Sequence, residues 1–411
     1  MTARTPETAI IIGAGVVGVT TAYALARRGV KVTLIDFRGG AADGTSYANG
    51  GQLSYLHTDA LASHTIIKDM PGLALGFNPA FRIKVGLDPD YVAWILTFLR
   101  NCTASRHAEN TRNALTIGLE SRLEMQKLVQ RYDLDFDYQV PGKMQLLYTQ
   151  EALQNVRSDI VAKGLADDEQ RILTFTEART LEPALDDIGT EPLAVMYAAR
   201  EALGDAHKFS INLLKLLESD FGVSSIFGRR VQNVALSSTR ATLTLSDGDV
   251  READLCVLCT GADRKLMKEL KINAPIIPMK GYSMTAPHGE NAPRISITDS
   301  KRRIVFTRLG DRIRVAGMAD LGWSNPDPDP KRVSTLLGEA EASLPKAADY
   351  SDIQETWAGL RPMTPDSNPR LGRPHAALAY NLGHGMLGWT MGMGTAERLA
   401  KLIGLPDLAE I

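Results

Sequence analysis

The sequence predicts an α/β protein: a Rossmann-like dinucleotide-binding domain joined to a second domain of α+β type. Two patterns carry this prediction. Residues 8–36 read as a strand, a glycine-rich turn, a helix and a second strand, and residues 276–318 read as alternating strands joined by hairpin turns. At 411 residues the chain is too long for one simple core, so two domains are expected.

The first pattern is a βαβ unit with a nucleotide fingerprint. A buried strand at residues 9–12 is followed by Gly13, Gly15 and Gly18 in GxGxxG spacing, and the second strand ends on Asp36. Gly13 permits the tight turn, Gly15 lets a pyrophosphate approach the backbone, and Gly18 lets the helix pack closely. The free N–H groups at the helix start face the phosphates, and Asp36 is placed to accept hydrogen bonds from a ribose.

Two other interpretations of this segment are disfavoured. Residues 9–26 carry no charge, but three glycines interrupt the run and it is barely long enough to span a bilayer. The acid Asp36 would repel a 2′-phosphate, which argues against NADP. The fingerprint alone leaves NAD and FAD open.

Composition excludes several function classes. The net charge is −2 with no long basic block, so no nucleic-acid partner is expected. Three cysteines suit a reducing compartment and provide no disulfide framework. Cys256 and Cys259 form a CxxC on a strand pattern, where residues three apart point to opposite faces, so both are expected in the core. Seven scattered histidines show no metal-ligand spacing, and no metal is predicted.

The patterns divide the chain into interleaved segments. Residues 64–135 are mostly helical in pattern, a new α/β stretch begins near residue 205, and the last 55 residues are glycine-rich and close with a helix. We predict a nucleotide-binding domain made of residues 1–60, 190–275 and 355–411. Residues 61–189 and 276–354 are predicted to form the substrate-binding domain, with an antiparallel or mixed sheet and helices.

Two later segments narrow the choice of dinucleotide. The apolar strand LCVLCT leads into Gly261, as a central strand does at the edge where cofactors bind. The segment NLGHGMLGWTMGMG, residues 381–394, interleaves glycines with large apolar residues, which suits a flat ligand. A helix that begins near Gly394 would turn its positive end toward that ligand. A flavin suits this position because its reduced form carries negative charge.

The chain is identified as resembling the D-amino-acid oxidase and glycine oxidase superfamily of FAD enzymes. Within that superfamily it is similar to the bacterial D-amino-acid dehydrogenase small subunits. The resemblance lies in GAGVVGVTTAYALARRGVKVTLID, TSYANGGQLS, FLRNCTA, PMKGYSMT, VAGMAD, WAGLRPMTPDSNPRLGRP and NLGHGMLGWTMGMGTAERLAKLI. These segments cover most of the chain in the family's order. The resemblance implies an FAD-binding domain of the glutathione-reductase type.

The resemblance also implies the FAD contacts. The pyrophosphate, ribose, ribityl chain, adenine and pyrimidine edge are expected against Gly13, Ala14, Gly15, Val16, Val17, Gly18, Asp36, Phe37, Thr45, Ser46, Gly50, Gly51, Gln52, Val231, Gly261, His384, Gly385, Met386, Leu387, Gly388, Trp389 and Thr390. Some relatives attach the flavin through a cysteine in the last third of the chain. No cysteine follows Cys259, so FAD is expected to be non-covalent.

The implied reaction is oxidative deamination of D-amino acids to 2-oxo acids and ammonia, with hydride transfer from Cα to flavin N5. Arg361 matches the arginine that binds the substrate carboxylate, a bidentate geometry that lysine cannot provide. Tyr282 is the candidate pocket hydroxyl, and Lys280 is a candidate for a group beside the flavin. His384 is expected in the flavin loop rather than as a proton shuttle.

Several alternatives stay open at this stage. A flavin oxidase that uses O₂ on glycine, sarcosine or a cyclic secondary amine such as proline would share nearly every motif, and an NAD-dependent or non-catalytic Rossmann protein is a different class. Electrons are expected to pass to a quinone or another acceptor. The segment AWILTFL, residues 93–99, is either a buried helix face or a surface for peripheral association with the inner face of the cell membrane. The protein is otherwise expected in the cytoplasm, as a monomer, a homo-oligomer or part of a dehydrogenase complex.

Overall fold

The structure is a computed structural model that describes residues 5–63, 66–67, 80–84, 86, 88–166 and 169–408. Parts of the segment predicted as helical, residues 64–65, 68–79, 85 and 87, lie outside the described residues. The same holds for the ends of the predicted nucleotide-binding segments, residues 1–4 and 409–411.

The helices and strands are numbered here in chain order. The helices are α1 Val16–Ala26, α2 Pro89–Asn101, α3 Ala104–Arg131, α4 Gln150–Lys163, α5 Phe175–Leu181, α6 Ala206–Phe221, α7 Lys265–Glu269, α8 Pro330–Ser343 and α9 Gly388–Leu402, with a 3₁₀ helix at Pro183–Asp187. The strands are β1 Thr8–Ile12, β2 Lys31–Ile35, β3 Gln52–Leu53, β4 Phe81–Ile83, β5 Lys143–Leu147, β6 Gln170–Leu173, β7 Ala194–Ala198, β8 Ala202–Leu203, β9 Ser224–Ile226, β10 Val231–Leu236, β11 Ala241–Leu245, β12 Val250–Ala253, β13 Leu255–Leu258, β14 Ile277–Pro287, β15 Ser296–Asp299, β16 Ile304–Leu309, β17 Arg312–Leu321, β18 Glu355–Met363, β19 Arg370–His375 and β20 Leu378–Leu382.

The predicted βαβ unit forms the centre of a six-stranded sheet in the order β19-β20-β13-β1-β2-β9. Ile11 of β1 pairs in parallel with Leu34 of β2 and with Val257 of β13. Parallel strands end at the same edge of a sheet, so the turns that follow them, at Gly13, Asp36 and Gly261, share one edge. The Rossmann-like α/β class predicted from the sequence is confirmed.

Two layers cover this sheet. Helices α1, α6 and α9 pack on one face, and Leu25, Leu213 and Leu399 are fully buried there. The three-stranded sheet β10-β11-β12 covers the other face, where Cys256 is buried in the core. Cys259 is also buried and is a free thiol, so both cysteines of the CxxC are core residues.

The second large sheet has nine strands, with β18-β14-β17-β16-β15-β5-β7-β6 in order and β4 paired to β17. Most pairs are antiparallel, but β15–β5 and β17–β4 are parallel, so the predicted mixed sheet is present. Strands β7 and β18 belong to this sheet by hydrogen bonding although the sequence division places them in nucleotide-binding segments. The division into two domains stays a prediction.

Helix α2 has one buried and one exposed face. Trp94 and Phe98 are buried and their rings are stacked, whereas Val92 and Leu96 are exposed. Asp88 begins this helix by accepting hydrogen bonds from the backbone N–H groups of Asp90 and Tyr91. Within the described part of the chain, no helix is both long and apolar enough to cross a bilayer.

Residues 45–54, called the crossing segment, connect the two sheets. This segment runs across one face of the nine-stranded sheet and forms a hydrogen bond to each of six successive strands. The bonded pairs, in strand order from β18 to β5, are Thr45–Leu360, Ala48–Ser283, Asn49–Arg314, Gly50–Thr307, Gln52–Ser296 and Ser54–Lys143. The segment is therefore held in place by the sheet below it.

We predict that Gly18→Ala destabilises the fold. A Cβ on Gly18 would lie 1.8 Å from the carbonyl oxygen of Gly13, so α1 would have to move away from the turn. Overpacking of this kind costs about 1–3 kcal/mol in the free energy of unfolding, which denaturant titration measures.

The control is Gly338→Ala, in helix α8. No heavy atom lies within 4 Å of a Cβ built there, so alanine should stabilise the helix by about 0.5–1 kcal/mol. If Gly18→Ala unfolded at the same denaturant concentration as the wild type, the packing assigned to this turn would be wrong.

Candidate active site

A cavity of about 1100 Å³ lies between the two large sheets and is lined by residues from both. Every residue predicted to contact the cofactor lines this cavity except Ala14 and Gly18, which act within the turn. Arg361, Tyr282 and His384 line it as well, whereas Lys280 does not. The structure thus brings segments far apart in sequence to one place, and the roles assigned to individual residues stay predictions.

The turn after β1 is shaped by close backbone contacts. Gly13 has a φ of +105°, and a Cβ there would lie 2.3 Å from the carbonyl oxygen of Cys259. Asp36 holds the turn, because its Oδ2 accepts from Ala14 N at 2.8 Å and its Oδ1 from Arg38 N at 2.9 Å. Asp36 therefore has a structural role besides the ribose contact predicted for it, and each carboxylate oxygen keeps a second lone pair for a ligand.

The start of α1 can hold an anion. Gly15 is the N-cap and provides no side chain, and Val16 N bonds to Ser46 Oγ at 3.1 Å. Next to this turn Phe37 lies between two guanidinium groups, with Arg38 at 4.4 Å and Arg230 at 3.9 Å from the ring centre. A helix N-terminus with nearby cations fits a pyrophosphate and an adenosine, so these residues fit a dinucleotide.

The loop before α9 presents a second helix N-terminus to the cavity. No side chain caps α9, and residues 383–390 line the cavity. His384 Nε2 lies 3.0 Å from Thr395 Oγ1, whose hydroxyl bonds to Gly392 O at 3.2 Å. Because the hydroxyl proton goes to Gly392, the neutral ring donates through Nε2. Burial lowers the pKa of His384 to about 3, so the ring is neutral at ordinary pH.

Arg361, on β18, has the environment of an anion-binding residue. Its guanidinium lies over Gly281, where a Cβ would come within 2.2 Å of Nη2, and its Nη1 donates to the carbonyl oxygen of Met318 at 3.1 Å. Met318 has a φ of +59° and lies in a β-bulge opposite Gly281, which turns this carbonyl toward the arginine. Both neighbours are thus needed to place the side chain.

The charge of Arg361 has no counter-ion among the described residues. Burial lowers its pKa to about 10, with Asp320 partly offsetting this, so the group is still protonated at neutral pH. No described carboxylate lies within ion-pair distance of it, and most of its donors are unused by the protein. A planar guanidinium in this state suits a carboxylate ligand.

Tyr282 belongs to a buried network. Its hydroxyl donates to Asp320 Oδ2 at 2.9 Å, and the same carboxylate binds Arg82 at 2.5 Å and Arg332 at 2.8 Å. Burial and this bond to Asp320 raise the pKa of Tyr282. Tyr282 lines the cavity, but its hydroxyl proton is donated to Asp320, so the hydroxyl can offer a ligand only an acceptor.

Lys280 does not itself line the cavity. Its ammonium donates to the carbonyl oxygen of Asp327, in the loop of residues 324–328 that covers one end of the cavity. The same ammonium lies 5.3 Å from the centre of the Tyr282 ring. The position of Lys280 beside the flavin stays a prediction.

Sequence reasoning missed three polar residues of the cavity: Ser54, His57 and Lys143. In the sequence, Ser54 and His57 follow a loop, and Lys143 lies in a segment that alternates as a strand. No motif marks any of the three residues. They meet because the crossing segment ends above β5. Among the described residues, no group of three or more His, Cys, Asp or Glu side chains is arranged to hold a metal ion.

We predict that Asp36→Ala weakens FAD binding. Removing this carboxylate leaves the N–H groups of Ala14 and Arg38 without their acceptor and loosens the turn. We expect FAD binding to weaken by about 1.5–3 kcal/mol, or roughly 10–100-fold in Kd. Titration of the apoprotein with FAD, followed by flavin fluorescence, measures this change.

The matched control is Asp254→Ala. Asp254 also accepts backbone N–H groups at β1, from Glu7 at 3.1 Å and Thr8 at 3.0 Å, but it lies outside the cavity. Its loss should leave the Kd unchanged. Equal FAD affinity in Asp36→Ala and the wild type would contradict the role of Asp36.

Comparison with known proteins agrees with this geometry. A family model described as DAO, FAD dependent oxidoreductase, matches residues 8–402. D-amino acid dehydrogenase 2 of Ralstonia nicotianae is 36% identical over 406 residues, covering 96% of this chain and 95% of that protein. D-amino acid dehydrogenase of Paramagnetospirillum magneticum is 37% identical over 404 residues, covering 96% and 94%.

Among solved structures, glycine oxidase from Geobacillus kaustophilus superposes with a TM-score of 0.76 at 18% identity, covering 98% of this chain and 96% of that one. At this identity the likeness shows the fold alone. The family match and the two relatives confirm the resemblance read from the motifs, including FAD as the cofactor. The chain belongs to the DAO family of FAD-dependent oxidoreductases.

Proposed function

We propose that this protein oxidatively deaminates D-amino acids to 2-oxo acids and ammonia. The observation that carries this is Arg361, a guanidinium without a counter-ion that faces the cavity over Gly281. Every free amino acid carries an α-carboxylate, which is an anion that this guanidinium can bind. The names of the relatives, D-amino acid dehydrogenase, support the D enantiomer for this chain.

FAD supplies a two-electron acceptor for the hydride when it is bound, and we propose that it binds without a covalent link. Arg361 binds the substrate carboxylate through two N–H groups and so fixes the orientation of Cα. The protein contributes chiefly by positioning the substrate in the cavity. In this proposal, the residues predicted to contact FAD hold it inside the cavity.

Neither His384 nor Tyr282 is placed to act as a general base. His384 is neutral and donates to Thr395, and the Tyr282 hydroxyl donates to Asp320. The substrate amine must therefore bind with its lone pair free. Loss of the Cα hydrogen with its electron pair, and of one N–H proton, leaves an imine. Water then converts the imine to a 2-oxo acid and ammonia.

The electrons leave to a quinone or another acceptor in this proposal. Because quinones lie in the membrane, the protein would have to bind at the membrane surface to reduce one. The exposed side chains of Val92 and Leu96 on α2 would support such a peripheral association. The acceptor is independent of the substrate chemistry at Arg361.

We expect Arg361→Lys to raise the KM for D-amino acids strongly while FAD stays bound. Loss of a bidentate charge pair in a buried site costs about 2–5 kcal/mol, which corresponds to roughly 30-fold or more. Steady-state kinetics with a dye acceptor, together with the flavin spectrum, measure both quantities.

Gly281→Ala tests the same site without removing the charge, because the new Cβ would displace the guanidinium. It should raise KM in the same direction. Wild-type KM in both variants would exclude Arg361 as the carboxylate ligand.

The proposed reaction is tested by anaerobic mixing of the purified protein with D- and L-amino acids, glycine, sarcosine and proline. We expect the flavin absorbance to bleach with D-amino acids and not with their L enantiomers. Bleaching only by glycine, sarcosine or proline, followed by rapid reoxidation in O₂, would indicate an amine oxidase instead.

A further inference from the structure

Lys143, the first residue of β5, is a buried cation at the cavity. Its side chain is 7% exposed, it lines the cavity, and its Nζ donates to Ser54 Oγ at 2.9 Å. A lysine ammonium has three donors, and the described residues use one of them. No described carboxylate lies within ion-pair distance of it. Two donors and a full charge are therefore left for whatever fills the cavity.

The hydrogen bonds around Lys143 lead to the cofactor loop. Ser54, which accepts from Lys143, uses its own backbone N–H to bond Thr390 Oγ1 at 3.1 Å. Thr390 lies in the first turn of α9, and the sequence predicts that this loop contacts the pyrimidine side of the flavin. Gln52, two residues before Ser54, lines the same part of the cavity. Lys143 thus lies directly behind residues expected at the flavin ring.

The charged groups near Lys143 are already engaged elsewhere. Glu201 is 1% exposed and accepts from Tyr55 N at 2.7 Å, from Leu56 N at 2.9 Å and from His57 Nδ1 at 3.2 Å. Asp59 pairs with Lys163 at 2.7 Å.

These engagements have electrostatic consequences for the cluster. Burial and the Lys143 charge lower the pKa of His57, which keeps this ring neutral at neutral pH, and the His57 and backbone contacts lower the pKa of Glu201. Burial lowers the pKa of Lys143 to about 8, although Glu201 and Asp59 partly offset this. The lysine is charged at neutral pH without a counter-ion of its own.

We propose that the positive charge of Lys143 stabilises the negative charge that FAD gains on reduction. Lys143 thereby makes the bound FAD easier to reduce. This role rests on the FAD cofactor of the family and not on the D-amino-acid substrate. Lys143 acts through its charge, from behind Ser54 and Thr390, and takes no part in binding the substrate.

The proposal is tested by the reduction equilibrium of the FAD-loaded protein against a reference dye, without any amino acid. Lys143→Met and Lys143→Gln should lower the equilibrium constant for two-electron reduction at least tenfold, about 30 mV for this couple. Lys143→Arg keeps the charge and should stay near the wild-type value.

The matched control is Lys163→Met. Lys163 is another lysine of this region, with a side chain that is 6% exposed, but it pairs with Asp59 and does not line the cavity. Its loss should leave the equilibrium unchanged. An equal drop in Lys163→Met would show a general structural effect and overturn the proposal.

The pH dependence provides a second readout. Below about pH 8 Lys143 is charged in both redox states, whereas above it the oxidised protein loses this proton and reduction takes it back. Above about pH 8, the equilibrium constant for two-electron reduction of the wild type should therefore fall up to tenfold more per pH unit than that of Lys143→Met. The two equilibrium constants should converge at high pH.

Three further outcomes would overturn the proposal. One is an unchanged equilibrium in Lys143→Met and Lys143→Gln. Another is a higher KM for D-aspartate and D-glutamate alone, because it would assign Lys143 to the substrate. The third is loss of FAD from both variants but not from Lys143→Arg, which would make Lys143 a binding residue. The substrate proposal could fail in its own test without changing any of these results.

Discussion

The site depends on the hydrogen bonding of the crossing segment, residues 45–54, to the nine-stranded sheet. The carbonyl groups of Ala48, Asn49 and Gly50 accept from side chains of three different strands. Buried carbonyls need such partners, so the inward polar side chains of the sheet determine where this segment lies. The cavity exists because the segment is held between a parallel sheet that ends at the glycine turn and a mixed sheet that carries Arg361.

The cations of the site fall into two groups: some have a carboxylate partner and others have none. Lys143 is buried and Arg361 is half-buried, and both line the cavity and lack a carboxylate within ion-pair distance among the described residues. Arg82 and Arg332 instead share Asp320, and this pairing also takes the Tyr282 proton. Arg361 and Lys143 therefore keep their positive charges for a ligand, whereas Arg82 and Arg332 are paired with Asp320. A reaction that needs orientation and charge stabilisation, with no acid or base, is consistent with that arrangement.

The sequence predicted what depends on local patterns. The βαβ unit follows from residue spacing, and Arg361 follows from a family motif. The surroundings of Arg361 could not be predicted, because they depend on a β-bulge at Met318 that no local pattern marks. Lys143 was missed for a similar reason. An alternating pattern assigns it to a strand, but only the path of the crossing segment brings it to Ser54 and the cofactor loop.

The central claim is that the cavity holds its substrate by the α-carboxylate at Arg361. Its most direct test compares the rate of anaerobic flavin reduction by a D-amino acid with that by the amine that lacks only the carboxylate. We expect a preference on the order of 30-fold or more for the acid in the wild type, and its loss in Arg361→Met. An equal preference in both proteins would contradict it.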